Sequence, residues 1–297
     1  RQVIRMFQDE YSRWCQAELV DFDLKRELTE IAGDEDAIRE RFAASLSFGT
    51  AGLRGTLGVG TNRMNIWVVR QATQGIADWV KTKGGSQTVA ISYDSRLKGW
   101  NFARDAASVL AANGIQVRLY DELMPVPALS FATRYYNCNA GIMITASHNP
   151  AKYNGYKAYG ADGCQVTDED AAIVYAAIQK TDVLGGAKFM SFAEGVEKGL
   201  IRFVEDACKE AFYAAVESRQ VRPGICKTAG LKLVYSPLNG TGLVPVTRVL
   251  KDIGIEDVTI VKEQEYPNGY FTTCPYPNPE IFEALEKGLA LAKETGA

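Results

Sequence analysis

The chain has 297 residues, 46% of them apolar, and a formal net charge of −3. That is length for about two domains with sizeable cores, and the charge offers no basic field to a nucleic-acid backbone. Cys15, Cys138, Cys164, Cys208, Cys226 and Cys274 form no C-x-x-C pair, and no stretch approaches a membrane span, which disfavours a disulfide framework, a structural zinc site and a membrane protein. A reducing cytoplasm is the expected location. The N-terminus lacks the apolar core of a signal peptide. The chain does not start with Met and is expected to be part of a longer protein.

Residues 1–45 are charged and helical in pattern. Residues 47–62 carry Gly49, Gly52, Gly55, Gly58 and Gly60 around Arg54 and read as a loop. Strands and helices then alternate. The pattern predicts a helix over Gln71–Lys83, a strand over Thr88–Tyr93 and a helix over Asn101–Asn113. A strand over Ile115–Tyr120, a helix over Pro127–Tyr136 and a strand over Ala140–Thr145 follow. Such alternation argues for α/β layers with a largely parallel sheet. Asp168–Lys180 is a helix with Thr167 as N-cap, and residues 181–199 read as irregular. A second unit holds a helix over Phe203–Arg219, strands over Leu231–Tyr235 and Val258–Val261, and helices over Val244–Gly254 and Ile281–Lys293. The proline-rich Tyr266–Pro279 reads as a loop.

The only histidine follows a serine in Thr145-Ala146-Ser147-His148-Asn149-Pro150, directly after the apolar run Ala140–Ile144. The pattern is a buried strand delivering a serine to the loop at its C-terminal end, where open α/β sheets bind ligands. Ser and Asn before Pro are also ordinary turn chemistry. A serine hydrolase would need a Gly-x-Ser-x-Gly turn and a distant histidine, and neither is present. The alternative chemistry is a phosphoryl group carried on Ser147, which needs cations around it. Lys152, Lys157 and Arg54 are the candidates. Glycines flanking Arg54 let backbone N–H groups approach an anion; Lys157 could equally be a solvated surface lysine. The Arg54 loop is neither a Walker A loop nor a dinucleotide fingerprint. Asp94 and Arg96, at a strand end, read as a structural ion pair or as support for a site.

Three motifs occur in order: Gly49-Thr50-Ala51-Gly52-Leu53-Arg54-Gly55, the serine hexapeptide, and Tyr153-Asn154-Gly155-Tyr156-Lys157. Together they resemble the α-D-phosphohexomutase superfamily, closest to its phosphoglucomutase/phosphomannomutase branch. Gly155-Tyr156-Lys157-Ala158-Tyr159 and Asp162-Gly163-Cys164-Gln165 fit that branch too. The resemblance implies four α/β domains around a cleft. Residues 1–199 would be the first, and 200–297 an incomplete second that lacks the metal loop. It implies an isomerase that interconverts glucose 1-phosphate and glucose 6-phosphate, with glucose 1,6-bisphosphate as intermediate and activator. Ser147 would be the phosphorylated serine. His148 and Lys157 would lie beside the transfer, Lys157 being the better candidate for proton transfer or charge neutralisation. Arg54 would contact the phosphoserine or the substrate phosphate. Mg²⁺ would bind a phosphate oxygen on Ser147 and carboxylates of an Asp-x-Asp-x-Asp-Arg loop that this chain lacks, so these residues alone are expected to be inactive. Asn239 stands where relatives often have histidine.

The implied partners are small sugar phosphates, with no nucleic acid and no membrane. Mannose, pentose and aminosugar phosphates remain alternative substrates. A non-catalytic sugar-phosphate-binding protein on the same scaffold is the alternative of another class. The joint presence of Ser147, His148, Lys157 and Arg54 argues against it.

Overall fold

The computed structural model describes residues 2–85 and 87–297; Arg1, within the helical N-terminal pattern, and Ser86 lie outside it. Three short helices come first: α1 (Gln2–Gln16), α2 (Phe22–Glu30) and α3 (Glu35–Phe42). Asp21 and Asp34 cap the second and third, accepting the N–H groups of Asp23 at 2.9 Å and Ala37 at 3.0 Å. Their apolar stripes, including Trp14, Leu24, Leu28, Ile38 and Phe42, enter the main core.

The glycine-rich segment is not all loop. It contains β1 (Leu53–Thr56). α4 (Ile66–Thr82) starts earlier than its apolar pattern suggests, because Asn65 Oδ1 accepts the N–H groups of Trp67 and Val68. Next come β2 (Thr88–Tyr93), α5 (Gly99–Ala112), β3 (Gln116–Leu119), α6 (Val126–Tyr135), β4 (Ala140–Ile144) and β5 (Tyr153–Gly160). After α7 (Asp168–Lys180), the span expected to be irregular forms α8 (Phe192–Glu197) and leads into β6 (Ile201–Phe203). The six strands are ordered β1-β5-β4-β2-β3-β6, and β5 alone runs against the rest. Every residue of β2 and β4 is buried, as expected of central parallel strands covered on both faces. Val89 and Ile91 meet the core beneath α4 and α5, whereas Ala90 meets the smaller core beneath α6.

Strand β6 pairs with β3 from Val117↔Ile201 to Leu119↔Phe203, so the first sheet continues past residue 199. We place the division between the units after β6. The helix expected from Phe203 therefore begins only at Asp206, as α9 (Asp206–Glu217). A single turn, α10 (Ile225–Thr228), precedes β7 (Lys232–Tyr235). Then come α11 (Leu243–Asp252), β8 (Asp257–Ile260), α12 (Lys262–Glu265) and α13 (Phe282–Thr295). β7 and β8 form a parallel two-stranded sheet. No helix among the described residues is long and apolar enough to cross a membrane.

Backbones crowd where β1, β5 and β4 meet. A Cβ on Gly155 would lie 2.5 Å from the carbonyl oxygen of Thr145 and 2.8 Å from that of Leu53. Gly33, by contrast, has a positive φ, +83°, and nothing lies near its missing Cβ. Gly155→Ala should therefore cost about 3 kcal/mol by overpacking, and Gly33→Ala only about 1 kcal/mol of backbone strain. Urea unfolding of the two variants checks this, and equal costs would contradict the packing described.

Candidate active site

Parallel pairing brings the C-terminal ends of β2 and β4 side by side, with Tyr93 opposite Ile144. Each end carries a polar side chain into the same corner. Thr145 donates its hydroxyl to Asp94 Oδ2 at 2.5 Å and accepts the Ser147 N–H at 2.9 Å. Ser147 has φ +55°, a left-handed backbone uncommon outside glycine. Its side chain is exposed, with Oγ 3.3 Å from His148 Nδ1.

Arg96 holds this loop in place. Its guanidinium is buried, with no side-chain exposure. Nη1 donates to the carbonyls of Pro150 and Tyr153, each at 3.0 Å. Nη2 donates to those of Ser147 at 2.8 Å and Asn149 at 2.5 Å. Nε lies 3.5 Å from Asp94 Oδ2, and the Asp94 carboxylate also accepts the Arg96 backbone N–H at 3.0 Å.

The antiparallel return of β5 sets Lys157 opposite Met143. One strand further out, Arg54 lies opposite Gly155. Gly52 permits this closeness: its φ is +74°, and a Cβ there would fall 1.9 Å from the Tyr156 carbonyl oxygen. Arg54 Nη1 donates to Asn149 Oδ1 at 3.0 Å. Lys157 makes no ion pair or side-chain hydrogen bond among the described residues. Arg54, Lys157 and Arg96 thus converge on the serine loop, opposed by Asp94. Lys152 is exposed, its ammonium 5.6 Å from the ring of Tyr153. Asn239 lies in the second unit, and its side chain bonds Glu263, Tyr266 and Thr273 rather than these groups.

Burial pushes the Asp94 carboxyl up, against the pull of Thr145, Arg96 and Lys157. Burial pushes the Arg96 guanidinium down, Asp94 opposes that, and Arg54 adds to it. Both partners shift against their charged forms, so burial opposes the charge on each. Lys157 is lowered by burial first and by the Arg54 charge second, with Asp94 opposing.

Among the described residues no group of three or more His, Cys, Asp or Glu could hold a metal ion. Asp94 is committed to Thr145 and Arg96. The residues around Ser147 therefore do not fit a Mg²⁺ site by themselves. The serine surface is also distinct from a cavity of about 520 Å³ lined by Asp21, Glu27, Lys98 and Tyr270. The sequence motifs pointed to Ser147, His148, Arg54 and Lys157. They did not reveal the Arg96 fork or the Thr145 bridge, although Asp94-Ser95-Arg96 at a neighbouring strand end was the available signal.

Fold and site define an α/β protein that displays an exposed serine among cations. Residues 45–184 match the model of phosphoglucomutase/phosphomannomutase alpha/beta/alpha domain I, and residues 210–297 that of domain II. The phosphoglucomutases of Staphylococcus saprophyticus and Staphylococcus haemolyticus are each 36% identical to the chain, over 86% of its length and 46% of theirs. The chain spans about half the length of these curated relatives. A crystal structure from Thermus thermophilus matches with TM-score 0.70 and 25% identity, over 84% of this chain and 52% of that one. A phosphoglucomutase/phosphomannomutase family protein from Burkholderia thailandensis has the same fold, with TM-score 0.66 and 23% identity over 84% of this chain and 50% of that one. The chain belongs to the phosphoglucomutase/phosphomannomutase family, a family of isomerases within the phosphohexomutases.

The depressed Lys157 yields a prediction. Its folded value lies below its unfolded one, so the charged lysine costs stability in full below the lowered value, and that cost fades as the pH rises from there to the ordinary one. Lys157→Met should raise the urea midpoint at neutral pH, and the gain should shrink as the pH climbs towards the ordinary lysine range. A lowered midpoint at neutral pH would contradict this.

Proposed function

We propose that the chain is the serine-bearing part of a phosphoglucomutase. It would interconvert glucose 1-phosphate and glucose 6-phosphate through a phosphoserine at Ser147 and a glucose 1,6-bisphosphate intermediate. The observation that carries this reading is the exposed Ser147 hydroxyl on a loop gripped by Arg96 and flanked by Arg54 and Lys157.

In the transfer, a sugar hydroxyl oxygen attacks the phosphorus of the phosphoserine. The new O–P bond forms as the bond to Ser147 Oγ breaks. The proton leaves the sugar hydroxyl and the departing serine oxygen gains one, with Lys157 and His148 as the candidate groups. The return transfer takes the other phosphate of the bisphosphate back to Oγ. Such chemistry needs positioning and charge neutralisation above all. Arg54 would grip phosphate oxygens through its fork. Lys157 would contribute its ammonium, whose desolvation makes proton release easier than from an ordinary lysine.

A hydrolase triad is not supported. His148 is the sequence neighbour of Ser147, and its ring has no carboxylate partner among the described residues. Glucose is preferred as substrate because the relatives at 36% identity carry the name phosphoglucomutase. The family model also covers phosphomannomutases, so mannose 1-phosphate is the second substrate to try.

Incubation of the protein at its full natural length with glucose 1,6-bisphosphate and Mg²⁺, followed by intact mass and phosphosite mapping, tests the reading. One phosphoryl group on Ser147, absent from Ser147→Ala, is expected. No phosphorylation with any sugar bisphosphate would overturn the proposal.

A further inference from the structure

The Arg96 guanidinium touches the serine loop on one side and the second unit on the other. The ring of Phe271 lies 5.2 Å from Arg96 Cζ, within cation–π range. Phe271 is 4% exposed and has φ +47°, a conformation an aromatic residue adopts only when its surroundings over-determine it. Two residues earlier, Gly269 packs backbone on backbone against the Arg96 turn. A Cβ there would lie 2.7 Å from Leu97 N and 2.8 Å from the Ser95 carbonyl oxygen.

The loop that carries Phe271 is tied from within by Asn239, which is 3% exposed with φ +55°. Asn239 Nδ2 donates to the Tyr266 carbonyl at 2.8 Å, and Oδ1 accepts from the Thr273 hydroxyl at 3.1 Å. The Asn239 carbonyl accepts the Asn268 N–H at 3.0 Å. Arg96 Nε is buried without a hydrogen-bond partner. Among the described residues, four loop carbonyls, the Asp94 charge and the Phe271 ring hold the plane of the guanidinium.

We propose that Phe271 is a positioning residue for Ser147. Its ring, held by the Asn239-tied loop, backs the Arg96 fork, so the second unit sets the geometry of a serine loop carried by the first. The functional half of this proposal rests on the reading of Ser147 as the reacting hydroxyl. Its structural half does not.

Phe271→Leu keeps an apolar side chain but removes the π face, and Phe271→Tyr keeps the face. Hydrogen exchange on the folded protein reads the amides of Asn149 and Tyr153, which are bonded to Ala146 and Pro150 within the loop. In Phe271→Leu they should exchange about tenfold faster, with β2 and β4 unchanged, because local opening is read separately from global unfolding. Phe271→Tyr should restore protection. Asn239→Ala, which frees the loop but keeps the ring, should loosen the same amides. In the full-length enzyme Phe271→Leu should lower kcat about tenfold at unchanged KM. Unaltered exchange at Asn149 and Tyr153 in Phe271→Leu and Asn239→Ala, or a raised KM at full kcat, would overturn the proposal. The exchange experiment needs no substrate. If the wild-type protein is never phosphorylated, the proposed function falls while the exchange result still decides the coupling.

Discussion

The Arg96 guanidinium lies beneath the serine loop and donates to four backbone carbonyls, those of Ser147, Asn149, Pro150 and Tyr153. A loop that leaves a buried strand and turns back as an antiparallel one has carbonyls with no ladder to join. Unpaired, each would cost about 1–3 kcal/mol on burial. One planar fork bonds four of them, of which the Pro150 carbonyl also accepts the Tyr153 N–H, and brings a positive charge with it. Lysine could not reproduce this, having a single nitrogen and no planar fork. Asp94 keeps the fork oriented, and burial opposes the charge on both partners.

The second constraint is steric. Ser147, Lys157 and Arg54 sit on β4's loop, β5 and β1, and they meet because those strands are close enough to exclude a side chain at Gly52 and Gly155. Packing and chemistry are therefore joined at the backbone level. The same approach that buries Tyr156 also brings Arg54 near enough to depress Lys157. A cationic cluster assembled this way is costly without an anion, and on the proposed function a phosphate group would relieve that repulsion.

Much of the fold was legible in the sequence. β2 and β4 are unbroken apolar runs of strand length, and Thr167 accepts the Asp170 N–H as its position before an acidic turn suggested. β5 was not legible as a strand. Tyr153–Gly160 contains two glycines, an asparagine and a lysine, and its conformation is imposed by partners on both sides. β6 has only three residues and is defined by pairing to β3. In the candidate site, the motifs singled out Ser147, His148, Arg54 and Lys157 as candidates. Arg96 could not be ranked, because nothing local shows which carbonyls a distant arginine will reach. Asn239 was visible only as a departure from histidine; its buried amide turns out to hold the loop that meets Arg96.

The most direct test exchanges the fork for a point charge. Arg96→Lys keeps the positive charge but cannot bond four carbonyls at once. With folding confirmed by circular dichroism, the rate of phosphoryl uptake by Ser147 from glucose 1,6-bisphosphate should fall about a hundredfold, the scale of a small misplacement of reacting groups. Uptake at the wild-type rate in folded Arg96→Lys protein would contradict the account, because the serine loop would then hold its geometry without the fork.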